Sequence, residues 1–162
     1  MMIRPEHRDD DSAIRELTRI AFAPMAFSDG TEPAVIDRLR ADGDLLVSLV
    51  AVEEAQIVGH IAFSPATLSV PGRWVTLGPI SVTPERQRRG IGKALIAAGF
   101  ARLRALGVAG CVLTGNPAVY ASSGFRNDLG LTASDTPNRN VMGLSFAGPP
   151  PTGPIVFARA FG

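Results

Sequence analysis

Two glycines set among basic residues form the most chemically suggestive stretch of the chain, Arg86-Gln87-Arg88-Arg89-Gly90-Ile91-Gly92-Lys93-Ala94-Leu95. It stands between a strand-like run and a helix-like run. A glycine-containing turn at a helix N-terminus aims several free backbone N–H groups at one spot, where the helix dipole favours an anion. Gly90 and Gly92 have no side chains to hold a diphosphate away from those amides. Over Gly90-Ile91-Gly92 alone, an ordinary glycine turn that starts a helix gives the same letters. Two nucleotide loops are excluded by the spacing. A Walker A loop needs Ser or Thr after its Lys and a Gly five positions before its second Gly, where this chain has Ala94 and Gln87; a Rossmann fingerprint needs a third Gly where Leu95 stands.

Such a loop needs a strand to deliver it and a helix to receive it, and the patterning supplies both. From Ile91 the apolar residues Leu95, Leu103 and Leu106 form one stripe that Gly107 stops. Ahead of the loop, Trp74 to Val82 reads as a strand interrupted by Gly78-Pro79, which marks either a bulge or a splay. Leu45 to Val52 and Ile57 to Phe63, joined by Glu53-Glu54-Ala55-Gln56, read as an antiparallel hairpin. Residues 11 to 23 carry the capped amphipathic pattern of a first helix, and a second, short helix follows the breaker stretch and spans Val35 to Arg40. Beyond the loop helix, Cys111 to Thr114 is a short buried strand, Pro117 opens a helical turn that ends at Gly124, and Ile155 to Phe161 reads as a returning edge strand after Pro149-Pro150-Pro151. The order of elements predicts an α/β domain with a mixed sheet.

Composition limits what such a domain can do. With 162 residues the chain fits one domain, and 46% apolar residues supply a core. Sixteen Lys and Arg against fifteen Asp and Glu leave a net charge of +1, with no electrostatic footprint for a nucleic-acid backbone. Fifteen of the basic residues are Arg and Lys93 is the only Lys. Cys111, the single cysteine, excludes an internal disulfide or a cysteine metal cluster. Inside an apolar strand it reads as an inert core residue. The acidic start lacks the apolar run of a signal peptide, and no stretch approaches about eighteen unbroken apolar residues. A soluble, cytoplasmic protein with no membrane partner is expected.

The wider arrangement resembles the acetyl-CoA-binding core of the GCN5-related N-acetyltransferase (GNAT) superfamily. The resemblance rests on Pro84, Gln87-x-x-Gly90-x-Gly92, the following helix, Val112-Leu113-Thr114, Asn116-Pro117 and Tyr120-x-x-x-Gly124-Phe125. It is strongest to bacterial predicted N-acetyltransferases, through Gly59-His60-Ile61-Ala62-Phe63-Ser64-Pro65 and Leu77-Gly78-Pro79-Ile80-Ser81-Val82. It covers about Gly59 to Phe125.

The resemblance implies a single GNAT-like domain over 1–162, with a mixed, mostly antiparallel central sheet, splayed strands and flanking helices. It implies acetyl-CoA as co-substrate, held by the main chain of Arg88, Arg89, Gly90, Ile91, Gly92 and Lys93, with Gln87 opening the motif. Pantetheine would pair like an extra strand with Ile80, Ser81 and Val82. Tyr120, the only tyrosine, matches the family's general acid. A phenol with a reference pKa of roughly 10 can protonate a departing thiolate without ionising first at neutral pH. As a residue in its own right it also reads, less readily, as a half-buried core aromatic. Asn116 would contact pantetheine or cap the turn after it. Gly124-Phe125 reads as a tight turn plus a core ring.

The implied reaction is direct acetyl transfer to a small-molecule or peptide primary amine in a ternary complex, by a monomer or homodimer. The alternative is a non-catalytic acyl-CoA-binding or regulatory module, against which the presence of Tyr120 argues. The amine must be neutral to attack, which calls for a base or a water chain. Glu32, Glu53, Glu54 and His60 are the candidates, the glutamates also reading as solvated and His60 as a hydrogen-bonded strand residue.

Overall fold

A computed structural model describes residues 1–162. Strand β1 (Met2–Pro5) leads through a short 3-10 turn into α1 (Asp11–Phe22), followed by α2 (Glu32–Asp42), β2 (Val47–Glu53), β3 (Gln56–Thr67) and β4 (Trp74–Val82). Then come α3 (Ile91–Ala105), β5 (Gly110–Thr114), the single turn α4 (Pro117–Tyr120), β6 (Leu131–Thr132), β7 (Val141–Ser145), β8 (Gly153–Pro154) and β9 (Val156–Phe157). The main sheet runs β1-β2-β3-β4-β5-β7, with β9 on the far end of β3. Every pairing in it is antiparallel except β4 with β5. This is the mixed sheet that the element order predicted, with the mostly antiparallel pairing that the resemblance implied.

Helices cover both faces. The α1 stripe of Ile14, Leu17, Thr18 and Ala21 is buried at the i, i+3, i+4, i+7 spacing that puts side chains on one face. α1 packs on β3, β4 and α2, and Ile14, Ile36 and Val50 close this side. On the opposite face α3 buries Ile91, Leu95, Ile96, Phe100 and Leu103 against Leu49, Ile61, Phe63 and Val75. Each such side chain contributes about 1.5–3 kcal/mol by leaving water. Gly99 sets the close approach of α3, because a Cβ there would stand 2.4 Å from the Phe63 ring. No helix is long and apolar enough to cross a membrane.

Three expectations need adjustment. α2 begins at Glu32, not Val35, because Pro33 in its first turn needs no N–H partner and favours helix entry. The β3 strand continues past Phe63 to Thr67. The C-terminal edge strand shrinks to Val156–Phe157, after which residues 159–161 curl into a 3-10 turn that Arg159 fastens to Asp42 at 2.7 Å.

Candidate active site

The pairing of β4 with β5 is short. It holds Trp74 to Gly110, Val75 to Cys111 and Thr76 to Val112, and then stops. From Leu77 to Val82 the β4 edge that faces β5 makes no further ladder, so the two strands open a wedge toward the C-terminal end of both. On its other edge β4 stays paired to β3 as far as Gly59–Val82, with one extra β4 residue taken up between Ile61–Ile80 and Phe63–Leu77. The cis Gly78–Pro79 peptide lies in that irregularity. The bulge and the splay that the sequence left as alternatives are both present, one on each edge of the same strand.

The glycine loop closes the mouth of the wedge. Gly90 adopts φ 84°, ψ 4°, left-handed geometry that glycine takes without steric cost, and it caps α3. The first helical bond runs from the Ala94 N–H to the Gly90 carbonyl at 3.0 Å. The amides of Ile91, Gly92 and Lys93 therefore belong to the first turn, which has no intrahelical acceptors. A Cβ at Gly90 would meet nothing within 4 Å, and one at Gly92 would meet only Ile80 Cδ1 at 3.9 Å, so open space lies over the loop. That contact also puts the Ile80 side chain on the α3 face of the sheet. Gln87 is exposed, and its Nε2 donates to the Val82 carbonyl at 3.1 Å, which ties the loop to the strand end. Arg88, Arg89 and Lys93 are exposed.

Across the wedge, α4 follows β5 directly. The Asn116 side chain accepts from the Ala118 N–H at 3.0 Å and caps that turn, the structural one of its two expected roles. Tyr120 ends α4, half-buried, its ring edge-on to Phe125 at 6.1 Å. Burial raises its phenol above the ordinary range. It is therefore a neutral O–H donor at physiological pH. No protein group within hydrogen-bond reach takes its hydroxyl, and the hydroxyl is not among the fully buried polar atoms.

The model of the acetyltransferase (GNAT) family matches residues 12–125, a span that includes α1, both edges of the wedge, the loop and Tyr120. The chain belongs to that family. A GNAT family acetyltransferase from Brucella melitensis, solved in complex with acetyl-CoA, is 40% identical and superposes with a TM-score of 0.87 over 99% of this chain and 97% of that one. The Escherichia coli N-acetyltransferase YhbS, itself described as uncharacterized, is 34% identical over 127 residues, 77% of this chain and 73% of its own. Its crystal structure, in complex with CoA, superposes with a TM-score of 0.88 at 27% identity over 99% of this chain and 91% of that one.

In this acetyltransferase the candidate bases do not gather around Tyr120. Glu53 pairs with Arg86 at 3.3 Å. Glu54 is exposed at the hairpin tip with φ 50°. Glu32 accepts from the Ser28 hydroxyl at 2.7 Å at the start of α2. His60 lies fully buried on the α1 face of β3, its Nε2 2.8 Å from Ser48 Oγ, its Nδ1 without a partner. Burial, with Arg40 nearby, lowers its pKa to about 3, so the ring is neutral. Cys111 is fully buried, and burial pushes its thiol well up, which makes it inert as a nucleophile. No group of three or more His, Cys, Asp or Glu is placed to hold a metal ion.

Sequence reasoning overlooked Glu6, Ser48 and Gly115. Glu6 meets Ser48, and Ser48 meets His60, only through the sheet register. Gly115 could have been suspected, because a glycine directly before Asn116-Pro117 sits where α4 turns back over β5.

Proposed function

We propose that the chain transfers the acetyl group of acetyl-CoA to a primary amine by direct attack. The observation that carries this reading is the wedge itself: β4 offers an unpaired edge from Leu77 to Val82, closed at one end by the glycine loop. The open space over Gly90 and Gly92 fits a diphosphate on the backbone amides of Arg88 to Lys93. The thioester's pantetheine arm has an extended form that suits the main chain of Ile80, Ser81 and Val82. Acetyl-CoA or CoA occupies the Brucella and E. coli relatives, which supports the same co-substrate here.

Each residue then has a defined task. The amides of the loop neutralise the diphosphate, with Gln87 holding the loop to Val82. The Val82 amide polarises the thioester carbonyl as negative charge develops on its oxygen. A neutral amine attacks the carbonyl carbon, the C–S bond breaks, and the Tyr120 hydroxyl gives its proton to the leaving thiolate. Tyr120 suits this because burial keeps it protonated. The fully buried, inert Cys111 excludes itself as an acyl carrier, so amine and thioester meet in one ternary complex.

The test is titration with acetyl-CoA followed by thiol release with a panel of primary alkylamines and lysine peptides. Saturable one-to-one binding, far tighter than for ATP or NAD, and amine-dependent thiol release are expected. No acetyl-CoA binding would overturn the reading, and binding without release to any amine would leave only a binding module.

A further inference from the structure

The last ladder pair between β5 and β7 joins Thr114 to Val141. Gly115 and Asn140, the next residues in the same register, lie beyond both strands and yet stay bonded. The Gly115 N–H donates to the Asn140 carbonyl at 2.8 Å. In an antiparallel pair of this kind the opposite N–H returns the bond. That of Asn140 is already given to the Pro137 carbonyl, at 2.9 Å, in the 3-10 turn of residues 138–140. The Asn140 side chain returns the bond in its place, with Nδ2 donating to the Gly115 carbonyl at 3.1 Å. A carbonyl only accepts, so it is the amide nitrogen that must face it. Asn140 thus extends the sheet by one pair with its side chain standing in for its main chain.

What this extra pair holds is the seat of Tyr120. The ring lies against Gly115, where a Cβ would stand 2.7 Å from Cε2. Phe125 meets the ring edge-on and is itself fixed in the core, packed on Phe100 with centroids 5.8 Å apart. The backbone of Tyr120 depends on the same corner of the chain. The Asn116 carbonyl accepts from the Val119 N–H at 2.9 Å and from the Tyr120 N–H at 3.3 Å. α4 is a single turn that buries none of its residues, and so short a helix has little stability of its own. The phenol is therefore placed by Gly115 and Asn116, and the Gly115 peptide is placed by Asn140.

We propose that Asn140 is a positioning residue for acetyl transfer, which sets the place of the Tyr120 hydroxyl by fixing the Gly115 peptide; the inference rests on the acetyltransferase reading above. Asn140 acts through Gly115 and the ring, not on substrate. Without Nδ2 the Gly115 carbonyl loses its partner in a partly buried site, and the peptide between Gly115 and Asn116 gains freedom to rotate. The ring that rests on it moves with it. A misplacement of about 1 Å costs on the order of 10²-fold when reacting groups must align. The bond from the Gly115 N–H to the Asn140 main chain survives any change of side chain, so the displacement and the loss should be smaller than that.

The decisive variants are Asn140→Asp, which keeps the shape but as a carboxylate can only accept, and Asn140→Ala, which removes the group. Each is made in the wild-type protein and in Tyr120→Phe. Single-turnover acetyl transfer to the alkylamine and lysine-peptide panel is measured, with acetyl-CoA affinity in parallel. In the wild-type background both variants should slow transfer by about tenfold and leave affinity unmoved. In the Tyr120→Phe background the same changes should cost less than about twofold, because no hydroxyl is left to misplace. A merely structural role would cost the same in both. Either variant at the wild-type rate, or an equal loss in the two backgrounds, overturns the positioning role alone. A wild-type protein that acetylates no amine overturns the acetyltransferase reading and the use of Asn140 in it. Tyr120 is the only tyrosine, so carbon-13 labelling of tyrosine gives a single set of ring signals that reports the seat without any acceptor. Asn140→Asp should shift those signals, and unmoved signals would show that Asn140 does not hold the ring and overturn the inference.

Discussion

The Tyr120 ring lies so close over Gly115 that a Cβ on the glycine would stand 2.7 Å from Cε2 and 3.1 Å from Cδ2. The strand end and the turn that follows it therefore determine where the phenol hydroxyl sits. Real Cβ atoms do not approach a ring to that distance, so Gly115→Ala must push the ring aside. A displacement of about 1 Å is enough to cost on the order of 10²-fold in rate when geometry is critical. Turnover with the best amine should fall on that scale while acetyl-CoA affinity is retained, since the loop is untouched. A Gly115→Ala enzyme with normal turnover would show that the ring position is not critical.

At Gly90 the backbone, not space, is limiting. With φ 84° and nothing within 4 Å, a side chain finds room but pays in conformation. Gly90→Asn, a residue that tolerates the left-handed region, should keep most of the affinity for acetyl-CoA. The β-branched Gly90→Val should lose about tenfold or more, because it distorts the amides it belongs to. Lys93→Ala keeps its amide and should cost less than Gly90→Val. Calorimetric titration of the three variants gives the ranking, and a Lys93→Ala loss larger than that of Gly90→Val would assign the diphosphate to side-chain charge.

Gly99 tests how α3 is seated. A Cβ there would fall 2.4 Å from Phe63 Cε2, and Phe63 is fully buried. Gly99→Ala should destabilise by about 1–3 kcal/mol, the usual cost of overpacking, despite alanine's better helix propensity. Denaturant unfolding measures it, and a stabilised variant would mean that the helix can lift from β3.

His60 gives the fold a pH dependence whose sign follows from its burial. Its folded pKa is about 3 against 6.5 for the exposed ring, so in that interval the unfolded chain binds a proton that the folded one does not. Stability should decline as the pH falls from about 6.5 toward 3, and the upper part of that window precedes most carboxylate titration. Chemical denaturation at pH 7, 6 and 5 should show midpoints dropping in that order, with a flatter series for His60→Gln. Constant midpoints in the wild-type protein would contradict the buried, neutral ring.

What could be read from the chain beforehand divides along one physical line. The loop from Arg88 to Lys93 was legible because everything it needs is local: glycine conformation, an N-terminal turn, a helix stripe. The hairpin and the α/β order followed from β-branched runs and turn residues. The helical pattern of α2 is visible only from Val35, because Glu32, Pro33 and Ala34 add no apolar period although they form its first turn. The C-terminal strand was too long because Ile155 to Phe161 is apolar enough for a strand, yet only Val156 and Phe157 find an edge on β3. The Glu6–Ser48–His60 line was invisible, since its members are 42 and 12 residues apart and meet only when β1, β2 and β3 take their register. Asn116 had two chemically sound roles, and only coordinates reveal its bond to Ala118.

We propose Tyr120 as the proton donor to the departing thiolate in acetyl transfer to an amine. Its most direct test is Tyr120→Phe, which removes the hydroxyl and keeps the ring that packs on Phe125 and over Gly115. Single-turnover acetyl transfer is the proper readout, because slow product release can hide a chemical defect in steady-state rates. A fall of about 10²-fold or more in the chemical step is expected, with acetyl-CoA affinity nearly unchanged. Near-normal single-turnover chemistry would contradict it, and weakened affinity with intact chemistry would make Tyr120 a binding residue instead.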